Sequence, residues 1–206
     1  MTYATDTEYA ARNLVELAMK EEAKFAGATQ ALAVSQRQFE LNRWDFRTSG
    51  QSDDFSDAYE IAAHARVARS HQQVAQLERD AAELRLLVAT HETAVQAICG
   101  AILQIAKQGI SLVHGAPRNA PEGREVGPVS LRDIVWEGRN QAMHYDDPRP
   151  FNEPVQRVFR DLEGAYGETF SLTLHQGQSR ARQIIELLGW HTYDAYLLDA
   201  GILGLA

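Results

Sequence analysis

From Asp54 to Lys107 the chain runs for 54 residues without a proline, and its first glycine there is Gly100. Within that stretch Val74, Leu77, Ala81, Leu84, Val88, His91, Val95, Ile98, Ile102 and Ile105 recur at alternating steps of three and four. A seam of this spacing over more than four heptads requires a long helix with one apolar face. The residues before it, from about Thr5 to Phe46, are rich in Ala, Glu, Gln and Leu, and also favour helix, with Gly27 as a point for a kink. Ser49-Gly50-Gln51-Ser52-Asp53 between them has turn chemistry. Two long helices joined by a short turn predict an antiparallel hairpin. Residues 1–90 are expected to form this extension and residues 91–206 a helical core. The seam needs cover, either within the hairpin or from a second subunit.

The remaining segments also read as helices. Residues His114–Pro128 hold three prolines and three glycines, which makes a loop with Arg118 and Arg124 open to solvent. Ser130 then caps a helix, with Asp133 three residues on as its capping-box partner. That helix is expected to end near Tyr145, before Asp146-Asp147-Pro148. Asn152 and Pro154 start the next helix, whose buried face is Val155, Val158, Phe159, Leu162 and Tyr166. Ala181, Ile184, Ile185 and Leu188 give the face of another, ended by Gly189. Thr192 caps a last helix from Tyr193 to about Asp199. Phe170–Leu174 alternates briefly but fits a helix start better than a strand. The expected fold class is all-α.

The chain has 206 residues, 45% of them apolar, enough for a sizeable core. Its formal charge is −8, unevenly spread. Residues 1–113 carry 11 basic and 15 acidic groups, residues 114–160 carry 7 and 7, and residues 161–206 carry 2 and 6. No basic tract supports avid non-specific binding of nucleic acid, so any such contact must rest on a local arginine cluster. Cys99 is the single cysteine, in an apolar helical segment that suits a buried, inert thiol. The first residues lack a basic start followed by an apolar core, and the longest apolar stretch, Ala94–Ala106, is short for a bilayer. A cytoplasmic chain is expected.

Phosphate-binding loops, dinucleotide glycine patterns and a paired-histidine zinc motif are absent from the sequence. The seven histidines lack ligand spacing, and Asp53-Asp54 and Asp146-Asp147 suit caps or turns. No cofactor and no metal are expected.

Three arginines are followed by a histidine five to seven positions later: Arg66/His71, Arg85/His91 and Arg139/His144. His91 lies on the apolar seam and His71 on an arginine-rich, solvent-like face. The third pair differs in context, because Arg139 is followed by the polar Asn140. On one helix Glu137, Asn140 and His144 form a polar stripe with Arg139 at its edge. Leu131, Val135 and Ala142 lie opposite at core spacing. An arginine offers a charged fork for phosphate oxygens, and a histidine can move a proton near neutral pH. The helix ends close by, which leaves room for a substrate.

The segment Trp136-Glu137-Gly138-Arg139-Asn140 through His144-Tyr145 resembles the R-x4-6-H signature of the HEPN superfamily, including the polar residue after its arginine. The resemblance covers about residues 85–200 and rests on this one motif. It implies a small helical bundle. Many members are metal-independent endoribonucleases of toxin–antitoxin and antiviral systems, and others bind RNA, nucleotides or protein partners without chemistry. By resemblance, Arg139 and His144 are the catalytic pair, with Asn140, Glu137 and Tyr145 in support. Tyr145 follows the histidine directly, where a subgroup of the family has one residue between. A homodimer acting on single-stranded or tRNA-like RNA is implied, with an antitoxin or defence protein as a further partner. A non-catalytic module of the same type and a helical scaffold are the alternatives.

Overall fold

The computed structural model describes the backbone of residues 2–48 and 57–206, and the side chains of residues 2–41, 72 and 75–206. The Ser49–Asp53 turn, the Asp53-Asp54 pair and the side chains of Arg66, His71 and Val74 lie outside the described residues. The described chain is all-α with a minimal β-ribbon. Helix α1 spans Tyr3–Thr48, α2 Asp57–His114, α3 Leu131–His144, α4 Glu153–Tyr166, α5 Ala181–Leu188 and α6 Tyr193–Ile202. Helix α1 runs unbroken through Gly27.

The chain divides into two compact units, Met1–Glu21 with Thr93–Ala206, and Glu22–Glu92. The first unit therefore takes in the start of the chain as well as the residues from Thr93 onward. The reason lies in packing. Ala11, Val15 and Ala18 are buried in the same core as Ile102, Leu103, Ala106 and Ile110. The Tyr3 hydroxyl donates to the Ile105 carbonyl at 2.8 Å, and the Ala4 amide to the Leu205 carbonyl at 2.9 Å. Gly109 permits this approach, since a Cβ there would meet the Tyr3 ring at 2.6 Å. In the second unit Ala28 and Ala81 are buried, while Leu77, Leu84, Val88 and His91 are half-buried. Their seam positions carry the expected periodicity.

Capping explains where the shorter helices begin. The Ser130 hydroxyl accepts from the Asp133 amide at 3.2 Å, the Asn152 side chain from Val155 at 3.2 Å, and the Thr192 hydroxyl from Ala195 at 3.2 Å. The Asp133 carboxylate accepts from Arg132 Nε at 2.9 Å. Gly189 ends α5 in the left-handed conformation, at φ 72°. Helix α3 packs against α4 and α5. Leu131, Ile134, Leu162 and Ile184 are fully enclosed between them.

Several expectations are corrected. The 114–128 loop holds a 3₁₀ turn, Pro117–Asn119, and leads into a ribbon of β1 (Glu125–Val126) and β2 (Val129–Ser130). Gly127, at φ 59°, and Pro128 make its tight turn. Arg124 is only in part open to solvent: 38% of its side chain stays exposed while its guanidinium reaches Asp199 and the Leu188 carbonyl. Tyr166 is exposed rather than buried: it is the last residue of α4, with its ring beside Gly127 of the ribbon turn and Phe170. Phe170 closes a 3₁₀ turn, Glu168–Phe170, and turns follow it, so no α-helix starts there. Helix α6 continues past Asp199 to Ile202. Part of Ala75–His114 in α2 is apolar enough, by length and composition, to cross a membrane. Its last turns are built into the core of the first unit, where Ile102, Leu103 and Ile110 are fully buried.

Candidate functional site

Helix α3 carries the sequence motif, and its packing decides which motif residues meet. Leu131, Ile134, Val135 and Ala142 hold one face in the core. Gly138 lets α5 come close: a Cβ there would lie 3.3 Å from Ile184. Gln141 is also buried. Its Nε2 donates to the Gln178 carbonyl and its Oε1 accepts from the Arg180 amide, both at 2.8 Å. These two bonds satisfy a buried amide and lock the rotation of α3 against the segment that enters α5.

With that rotation fixed, the polar residues divide between two surroundings. Arg139 turns toward α2, and its Nε donates to Gln104 Oε1. Its terminal nitrogens have no hydrogen-bond partner among the described residues. Asn140 lies between the two surroundings. Its Oδ1 accepts from Lys107 Nζ at 2.6 Å, and its Nδ2 donates to Glu137 Oε2 at 2.9 Å. Lys107 also sits 4.5 Å over the Trp136 ring, a cation–π contact. Gln104 and Lys107 are one turn apart on α2, so one helix face engages two consecutive motif residues.

The charges in this cluster feel their burial. Burial holds the Lys107 amine below its ordinary value; the nearby Arg139 adds to the effect, and Glu137 opposes it. Burial pushes the Glu137 carboxyl above the ordinary range, while the Asn140 hydrogen bond and the Lys107 charge pull it back.

His144 is exposed at the end of α3. It lines an open cleft of about 390 Å³ with Asn140, Asp147, Arg149, Pro150, Phe151, Asn152 and Val155. The cleft thus joins the C-terminal end of α3 to the N-terminal turn of α4. Its rim is set by a tight pair: Arg149 donates through Nε and Nη2 to the two Asp147 oxygens, at 3.1 and 2.7 Å. Hydrogen bonds from the Arg149 side chain and backbone pull the Asp147 carboxyl down to about 2, with smaller help from the charges of Arg149 and His144.

Of the residues singled out in the sequence, Asn140 and His144 line this cleft, and Glu137 reaches it through its bond to Asn140. Arg139 is held against α2, and Tyr145 caps the helix, partly exposed, outside the cleft lining. Gln104, Lys107, Arg149 and Phe151 escaped the sequence reading. Lys107 carried a signal, as the lone lysine after the apolar run Ala94–Ala106. Among the described residues no three His, Cys, Asp or Glu side chains gather as a metal site would require. No family model, no curated protein and no solved structure matches this chain.

Proposed function

We propose that this protein is a metal-independent endoribonuclease of the HEPN type, with an antiparallel N-terminal hairpin attached to a HEPN-like bundle, and a site completed by a second copy of the chain. The observation that carries the proposal is His144: it is exposed, at a helix end, in a cleft shared with Asn140 and Arg149. In this chemistry one His144 takes the proton of an RNA 2′-hydroxyl, and the oxygen attacks the adjacent phosphorus. The 5′-oxygen departs with a proton from the His144 of the second copy. The products are a 2′,3′-cyclic phosphate and a 5′-hydroxyl. Arg139, anchored through Nε, offers its terminal nitrogens to the charge that builds on the phosphorane. A defence or toxin role, with an antitoxin or other protein partner, follows from the same resemblance.

The engagement of Arg139 with Gln104 favours a second reading, a non-catalytic module of the same type that binds RNA or a nucleotide. Incubation of single-stranded RNA with the protein in excess EDTA separates the two. The nuclease reading expects cleavage to cyclic-phosphate ends, lost in a folded His144→Ala variant and absent on DNA. Intact RNA, or cleavage unchanged in His144→Ala, rejects it.

A further inference from the structure

The amide of Asn140 has only one orientation compatible with its neighbours. An ammonium group donates and never accepts, so the atom 2.6 Å from Lys107 Nζ must be the amide oxygen. The nitrogen then faces Glu137, which takes one of its two hydrogens at 2.9 Å. One amide hydrogen remains, on a residue that lines the His144 cleft. A flipped amide would set its oxygen against the Glu137 carboxylate and its nitrogen against the Lys107 ammonium, two like-polarity clashes in a half-buried place.

We infer that Lys107 is a positioning residue for this cleft: by holding Asn140 Oδ1 it makes Asn140 a hydrogen-bond donor toward an anionic ligand, a phosphodiester oxygen. The inference rests on the phosphodiester reading of the site but not on cleavage. Lys107 sits on α2, 33 residues before Asn140. Its ammonium also lies 4.5 Å over the Trp136 ring, which helps fix the direction from which it approaches Asn140. Neither Lys107 nor Gln104 lines the cleft. Lys107 therefore acts through Asn140, and its effect should vanish when Asn140 is gone.

A double-mutant cycle tests this directly. The probe is a fluorescent, all-2′-deoxy single strand, which the proposed chemistry cannot cut. Its affinity is measured for wild type, Lys107→Met, Asn140→Ala and the double variant. Methionine keeps an unbranched apolar side chain and removes the charged donor. Lys107→Met should weaken binding about tenfold, the scale of one hydrogen bond to a charged group. In the Asn140→Ala background the same change should cost less than about twofold. An equal loss in both backgrounds means that Lys107 acts only as a general positive charge, and the inference fails. It fails equally where wild type does not bind the strand. A second measurement needs no substitution: one Nδ2 proton resonance of Asn140 should shift when the strand is added to labelled wild-type protein. An unmoved pair counts against the inference. Strand binding without RNA cleavage overturns the nuclease proposal alone and leaves the role of Lys107 standing.

Discussion

Arg139 is held by Gln104 through its Nε, on the side of α3 that faces α2, while His144 opens into the cleft at the end of the same helix. The two motif residues are thus supported independently. One is anchored by a neighbouring helix, and the other is placed by the helix terminus.

Arg139→Lys should lower RNA cleavage by about 100-fold, the scale of one lost charge-stabilising donor, although the positive charge remains. A lysine cannot bond Gln104 through one nitrogen and offer two others to phosphate. Gln104→Leu should cost less, about tenfold, since it loosens the fork without removing it. Single-turnover rates in EDTA compare them. A fully active Arg139→Lys enzyme would remove Arg139 from the mechanism.

One chain offers one His144, whereas the proposed cleavage uses an acid and a base. The active species is expected to be a two-fold dimer in which two α3 helices face one groove. Sedimentation at micromolar concentration should show it. Mixing an excess of His144→Ala chain into wild type should suppress activity, because mixed dimers hold a single His144 and lack either the acid or the base. Full activity from a nanomolar monomer contradicts the composite site.

The Arg149–Asp147 pair should hold throughout the neutral and mildly acidic range. Asp147 is depressed from an ordinary value of 3.8 to about 2. A depressed carboxyl contributes stability above its ordinary value, and the contribution disappears as pH falls through about 2. In Arg149→Ala the Asp147 midpoint should move back up toward the ordinary value. Carboxyl carbon resonances followed against pH report it. A midpoint that stays low in the variant means that the arginine is not the cause.

Asp199 should matter for stability rather than chemistry. Its buried carboxylate takes Arg124 Nε and Nη2, each at 2.9 Å, and Trp190 Nε1 at 2.8 Å. Asp199→Ala strands the indole N–H in the core and half-releases the guanidinium. Urea unfolding should show a loss of about 3 kcal/mol. A loss below about 1 kcal/mol would mean that water replaces the carboxylate at little cost.

Much of the fold was written locally. The caps at Ser130, Asn152 and Thr192 and the stop at Gly189 depend on residues within one turn, and each formed where its chemistry placed it. The buried faces of α4 and α5 followed from periodicity, because a helix repeats its own geometry whatever lies beside it. Tyr166 broke that pattern: it is the last residue of α4 and stands exposed where the helix ends.

The sequence by itself determined the helices, their caps and the polar stripe of Glu137, Asn140 and His144. It also put an arginine beside that stripe. Only the tertiary structure decided that Arg139 meets Gln104, that Lys107 fixes Asn140, and that Arg124 closes on Asp199. These partners lie 35, 33 and 75 residues apart. The physical reason is one of range. Capping and amphipathicity act over three or four residues, so they leave a trace in the chain. A hydrogen bond between helices depends on how each rotates in the core, and that rotation is fixed by packing at Gly138, Gln141 and Gly109.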